Sequence, residues 1–325
     1  MLRCALTLVG LGALALTGCT IRGVRGLSPT TTPAPATTTT TVAPTTTSTL
    51  PPTTTTVPPY PVPEVGECRG PVTAEVLVAP TDARLPGDCD EPHGSETAAV
   101  LELPAAITEY PADGLPDEVR VDLVRQCQQE VDAYVGAAPK GATGRVASRL
   151  VEAWYLPAAS EWALGARWVR CDAAVTPLGP LTGSYAGGFQ DALVGDQIPF
   201  PLTRCYDHAL QLTFCEASHA FEATVEVKLP DGPETPGLDV VDELRLAHCD
   251  PLTALAIGVG GMDEQPRLRT ILLVAGGDLW EASGHIGLCI VGAVGGGNLN
   301  DSVRGIGSRP PPIEAPRPSP ETSAP

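Results

Sequence analysis

Bulky apolar residues are scarce: Phe, Tyr and Trp make up 4% of the 325 residues. A core built from this chain lacks large fillers and needs a second source of rigidity. Lysine is rarer still, occurring only as Lys140 and Lys228, and no Asp or Glu precedes Glu64. Residues 64–325 therefore carry all the acidity behind a formal net charge of −18. So acidic a chain repels phosphate backbones, which excludes DNA or RNA as a partner. No apolar run reaches the roughly 20 residues that span a bilayer. C-x-x-C is absent, which excludes a thioredoxin-type redox centre. G-x-S-x-G is absent too, so no nucleophile elbow is present. Gly295–Gly296–Gly297 lacks a following Lys–Ser/Thr and is not a phosphate loop.

What is abundant is as telling. Ten cysteines exceed what an ordinary cytosolic chain carries and point to an oxidising compartment. Hydrophobic residues at 43% are enough for a core, while 34 Gly and 35 Pro predict long stretches outside it.

The N-terminus reads as an address. Met1–Leu2–Arg3 supplies one positive charge, and residues 5–16 are almost wholly apolar. That is the pattern of a secretion signal. The run ends Leu16–Thr17–Gly18–Cys19, which resembles the lipobox of bacterial lipoproteins. The resemblance implies cleavage after residue 18 and a diacylglycerol on the Cys19 thiol. The chain is then expected to be lipid-anchored to the outer face of the cell membrane. Residues 19–64 are mainly Thr and Pro, without apolar periodicity, so nothing offsets the entropy of ordering them. They predict a disordered stalk reaching roughly 40 Å as a coil and up to about 140 Å as polyproline II. Residues 308–325 are again Pro-rich and predict a disordered tail.

Between these segments the sequence repeats. Cys89 to Glu96 reads C-x-x-x-H-x-x-E through His93, and Cys215 to Glu222 reads the same through His219. A strand-like apolar run follows each. Then come Cys127 and Cys249 in helix-like segments. Trp162 precedes Cys171 by nine residues, as Trp280 precedes Cys289, with Gly165 and Gly284 between them. Cys68 and Cys205 lead the two copies, which span 65–197 and 198–307.

Gly66–Glu67–Cys68, the run from Cys89 to Glu96, and Trp162-x-x-Gly165-x-x-Trp168-x-x-Cys171 resemble the septum formation-related domain of secreted and membrane-anchored actinobacterial proteins. The resemblance implies an envelope or division setting and supplies no molecular activity. Copy two departs from it. Cys205 and Cys215 lie ten residues apart, against 21 from Cys68 to Cys89, and nothing in copy two matches Trp168.

Val119, Leu123, Cys127, Val131 and Tyr134 recur every three or four residues and predict a helix from Pro116–Asp117 to Gly136. Val241, Leu244 and Cys249 give a weaker version in copy two. Strands are predicted at 74–78, 97–103, 166–171, 223–229 and 270–274. The expected fold is α+β: a duplicated small disulfide-bonded domain, each copy one main helix plus short antiparallel strands.

Eight cysteines remain after Cys4 and Cys19 are set aside, and eight allow 105 pairings. Equivalent cysteines of a repeat pair alike, which favours Cys68–Cys89, Cys127–Cys171, Cys205–Cys215 and Cys249–Cys289. The C-x-x-x-H-x-x-E motif carries residue types that ligate zinc, yet thiolates tied in disulfides are lost to a metal. Structural turns in which His93 and His219 bond local backbone or Glu96 and Glu222 are the simpler reading. No metal or cofactor is expected, and Trp154, Trp162, Trp168 and Trp280 are expected in the core. The sequence thus favours a non-catalytic binding module of the envelope, linked to septation or wall growth. Its partner would be an envelope protein or a wall component. The alternative is an envelope hydrolase using His93 or His219 with an acidic partner.

Overall fold

The computed structural model describes residues 60–314, apart from 113, 179–182, 196–197 and 278. The signal at 1–18, Cys19, the stalk up to residue 59 and the tail from 315 lie outside the described residues. No described helix is long and apolar enough to cross a membrane.

Copy one runs β1 (Cys68–Arg69), α1 (Ala74–Val78), β2 (Pro86–Gly87), β3 (Ser95–Glu102), α2 (Asp117–Val135), β4 (Arg145–Val146), β5 (Leu150–Tyr155), α3 (Ala159–Ala163) and β6 (Trp168–Val175). Copy two continues with β7 (Cys205–Tyr206), β8 (Leu212–Thr213), β9 (Phe221–Lys228), α4 (Leu238–Leu244), α5 (Asp250–Ile257), β10 (Leu268–Val274), α6 (Leu279–Ala282) and β11 (Ile286–Ala293). The first sheet has the order β2-β1-β3-β6-β5 and the second β8-β7-β9-β11-β10. These orders are the same, strand for strand, and every pairing is antiparallel. The fold is α+β and duplicated.

The likeness extends to register. Cys68 faces Glu96 and Cys205 faces Glu222 across the ladders. Each long central strand skips one residue in its pairing, Ala98 in β3 and Thr224 in β9. Both bulges sit two residues after the motif glutamate, beside the strand cysteine, Cys171 or Cys289. A bulge re-aims the side chains that follow it.

The helices explain the two longer bridges. Asp117 and Glu118 sit in the first turn of α2, where acidic groups favour the helix dipole. Gly136 ends it at φ 72°. Leu123, Cys127, Val131 and Val135 form its buried face, so Cys127 meets Cys171 on β6. In copy two, Leu244 and Cys249 are five residues apart, one more than an α turn brings onto one face. Residues Arg245–Cys249 take a π turn that absorbs the extra residue, next to Pro251, which has no N–H to give the α ladder. Cys249 thereby reaches Cys289 on β11. The two shorter bridges are Cys68–Cys89 and Cys205–Cys215, so these are the four pairs the repeat favours. Each bridge contributes on the order of 2–4 kcal/mol, which compensates for a core of Val, Leu, Ala and few rings.

Three expectations are corrected. Residues 74–78 form helix α1, not a strand: the Thr73 hydroxyl accepts from the Val76 N–H at 3.2 Å and caps a turn that two valines alone would not favour. The tail does not start at 308. Ile313 bridges to Leu299 and packs on the Ile257–Leu299 cluster, and Glu314 N–H donates to the Asn298 carbonyl. At the other end, the stalk does not extend to residue 64: the Tyr60 hydroxyl donates to the Gly165 carbonyl at 3.2 Å.

The copies are also laced together. β4 leaves copy one and pairs with β9 of copy two, Arg145 opposite Glu226 and Val146 opposite Val225. Ser148 then bridges Thr203, and the Arg149 N–H donates to Leu202. Arg145, 8% exposed, binds Asp132 on α2 at 2.6 Å and Glu226 on β9 at 3.4 Å. A seam of backbone and charge therefore joins two units that the repeat alone depicts as beads.

Candidate functional site

The repeated motif is a buried lock. In copy one, His93 pairs its backbone with Tyr185 in both directions, at 3.1 and 2.9 Å. Its Nδ1 faces the Glu91 carbonyl at 2.9 Å and its Nε2 faces Glu96 Oε1 at 2.8 Å. With acceptors on both nitrogens the ring is suited to carry both protons. The hydrogen bond to Glu96 raises its pKa against the pull of burial, and the Glu91 carbonyl adds to the rise. Glu96 also accepts from the Phe189 N–H at 2.8 Å and from the Tyr134 hydroxyl at 2.8 Å. Burial, then the bond to Glu96, pushes the Tyr134 pKa up, so Tyr134 stays a donor.

Copy two repeats the lock with different side chains. His219 pairs its backbone with Leu299, and its Nδ1 faces the Ala217 carbonyl at 2.8 Å. Glu222 accepts from the Val303 N–H and the Ser302 hydroxyl, both at 2.8 Å, with Arg304 at 3.5 Å. Tyr185 and Leu299 are thus equivalent, as are Phe189 and Val303 four residues on. The sequence reading missed these four because backbone groups do the work and no residue type repeats. Cys68, His93 and Glu96 place donor atoms within 4.8 Å of one another, as do Cys205, His219 and Glu222. All these sulfurs are bridged, so no thiolate completes a metal set. His93 and His219 are 2% and 1% exposed, and neither lines the cavities described below. Trp162, Trp168 and Trp280 are core; Trp154 is half-buried beside α2.

The copies differ most on the sheet face away from the main helix. In copy one Arg170 binds Asp172 at 2.9 Å and also Asp82, with its guanidinium over the Tyr155 ring. Arg84 holds Asp82 at 2.9 Å, and Arg69 holds Glu67 and Thr97. Asp82 and Arg84 come from the longer Cys68–Cys89 loop. At the corresponding ladder positions copy two has Leu288 for Arg170, Ile290 for Asp172, Ala223 for Thr97 and Leu273 for Tyr155. Its loop is eleven residues shorter, and among the described residues it holds no helix equivalent to α1 over that face.

There a groove opens. Two adjoining cavities of about 470 and 620 Å³ share Gln128, Lys140, Glu152, Ser283 and Ile286. They run from the outer face of α2 across β5 to the turn region before β11. The apolar part is Val121, Val124, Leu273, Leu288 and Ile286, with Val121 58% exposed. Arg120, Arg125, Lys140, Lys228 and Arg204 surround it, and buried Arg145 with Asp132, Glu152 and Glu226 completes the charged lining. Both lysines of the chain are therefore on one groove, in a molecule of net charge −18. Four of these cations hold carboxylates at 2.7–3.3 Å, in largely exposed pairs that hold a charged head only weakly.

A duplicated, disulfide-bonded α+β module with a groove between its copies is the class these features define. A family model described as septum formation matches residues 55–171 and again residues 88–289. Together the matches cover more than half of the chain, which belongs to the septum formation family. The two matches end at Cys171 and Cys289, the equivalent last cysteines of the copies. No curated protein and no solved structure matches the chain.

Proposed function

We propose that this chain is a non-catalytic binding module of the cell envelope, tethered by lipid on Cys19 and held off the membrane by its Thr/Pro stalk, with the groove as its binding face. Family membership supports a septation-related role in the envelope. The observation that carries the reading is the convergence of both lysines and four arginines, against three lining carboxylates, around an apolar strip in a strongly acidic chain. Rim cations choose and steer a partner, and the apolar strip supplies contact area. The occupant is an acidic segment of an envelope protein with apolar side chains, since a wall polymer has little use for valine and leucine. Burial of both motif histidines supports binding over hydrolysis, because neither ring meets a substrate.

A photo-crosslinker at Val121 of the full chain in cells tests this, with Leu238, which is 87% exposed and lines neither cavity, as the control position. A protein adduct at Val121 alone is expected. Lys140→Glu with Lys228→Glu should cut its yield roughly tenfold, the scale of about 1.4 kcal/mol. Equal labelling at both positions, or wall polymer in place of protein, overturns the proposed occupant.

The anchor has its own test. Two or three acyl chains at about 0.8 kcal/mol per buried methylene hold a protein on a membrane. Cys19→Ala should therefore shift it to the soluble fraction or leave an uncut precursor, read by fractionation and apparent size. Retention at mature size would reject the anchor.

A further inference from the structure

Four arginines are buried among the described residues: Arg69, Arg145, Arg149 and Arg170. Arg69, Arg145 and Arg170 each hold a carboxylate within 3 Å. Arg149, 4% exposed, holds none. Its Nη1 donates to the Pro201 carbonyl at 3.1 Å and its Nη2 to the Thr176 carbonyl at 2.9 Å, and its Nε has no hydrogen-bond partner. A guanidinium cannot shed its proton to escape burial. Leaving its charge unpaired is expensive. Burial does pull the Arg149 pKa down, and exposed Glu216 offsets this only in part.

The same side chain lines an open cavity of about 490 Å³ with Ser184, Pro201, Phe214, Glu216 and Ala217. A disulfide, a backbone bridge and the seam between the copies hold most of its walls. Phe214, Glu216 and Ala217 flank Cys215 in the motif turn of copy two, tied by its bridge to Cys205. Ser184 precedes Tyr185, which is locked to His93. Arg149 lies in the seam, its N–H on Leu202. The Phe214 ring stands 5.8 Å from the guanidinium carbon.

We infer that this cavity is a binding site for a carboxylate, which supplies the counter-charge that the chain withholds from Arg149. The guanidinium fork matches a planar carboxylate. The Ser184 hydroxyl offers a further donor and Phe214 an apolar wall for the carbon that bears the group. One cation with Glu216 at the rim accommodates a monoanion better than a phosphate dianion. The site is separate from the groove and does not rest on its reading.

The experiment is an NMR titration of the full chain carrying ¹⁵N-labelled arginine. The probes are N-acetylalanine, its neutral amide and inorganic phosphate. N-acetylalanine should shift the Arg149 Nε–H signal saturably, and the amide should not. Arg149→Gln should lose the binding. Should that variant fail to fold, Glu216→Gln still decides: Glu216 is exposed, and removing its repulsion should tighten N-acetylalanine roughly threefold. No saturable shift, an equal shift from amide or phosphate, or unchanged affinity in Glu216→Gln would overturn the assignment.

Discussion

Arg170→Leu is expected to lower the unfolding free energy by about 3–5 kcal/mol, the scale for stripping one partner from a buried ion pair. Asp172 is fully buried and, once Arg170 is gone, keeps one hydrogen bond, from the Thr97 hydroxyl at 3.2 Å, and the more distant charge of Arg69. Asp82 suffers less, since Arg84 still holds it. The chain contains its own control. Copy two has Leu288 and Ile290 where copy one has Arg170 and Asp172, on the same ladder with the same bulge. Arg170→Leu combined with Asp172→Ile should therefore recover to within about 1 kcal/mol of the parent, because the replaced pair leaves no charge behind. Acid should rescue the single variant. Burial raises the Asp172 pKa, and without Arg170 that rise is less opposed. A carboxyl raised in the folded state destabilises as pH climbs through its unfolded value of about 3.9, so the deficit should shrink as pH falls toward 4. Urea melts of parent, single and double variants at two pH values check this. A double variant no better than the single would show that the cluster does more than satisfy its own charges.

That contrast marks what sequence can carry. The repeat, its eight cysteines and the helix ending at Gly136 are legible because each is a spacing of residue types. Strand order is not among these; once the copies are aligned, the topology of one sheet carries over to the other, and β5 and β11 are hidden besides: Gly287 and Gly292 dilute the β-forming pattern of β11. Residues 74–78 mislead because two valines read as strand while the deciding group, the Thr73 cap, stands outside the run. The groove is illegible for another reason. Its α2 side and its β11 side lie about 160 positions apart, and it goes with a difference in length, the short Cys205–Cys215 loop that leaves Leu273 and Leu288 half-buried without a helix like α1 over them. The two lone lysines are visible in the sequence; their convergence is not. The Arg149 cavity depends on an unmet charge, and only a fold reveals which arginine lacks a partner.

Glu96→Ala should cost about 3–6 kcal/mol, because three donors lose their acceptor together: the His93 ring, the Phe189 N–H and the Tyr134 hydroxyl. A buried donor left unmet costs roughly 1–3 kcal/mol. The milder Glu96→Gln keeps the shape and removes the charge, so it isolates the histidine. The hydrogen bond to Glu96 raises the His93 pKa above its unfolded value. The stability this confers is complete below about pH 6.5 and is lost as pH rises through the folded value. Parent protein should therefore weaken across that window, and Glu96→Gln should flatten the slope. Glu222→Gln should leave the histidine's share of the slope intact, since Glu222 takes its hydrogen bonds from Ser302 and Val303 and not from a histidine ring, and should remove only the dependence of Glu222 itself, whose pKa burial raises. Hydrogen exchange locates the effect: the Tyr185 and Phe189 amides should exchange faster in Glu96→Gln, while those of Leu299 and Val303 stay protected. Parallel pH profiles in parent and Glu96→Gln would mean that His93 is held by its backbone pairing with Tyr185 alone, and that the motif's third residue serves Phe189 rather than the histidine.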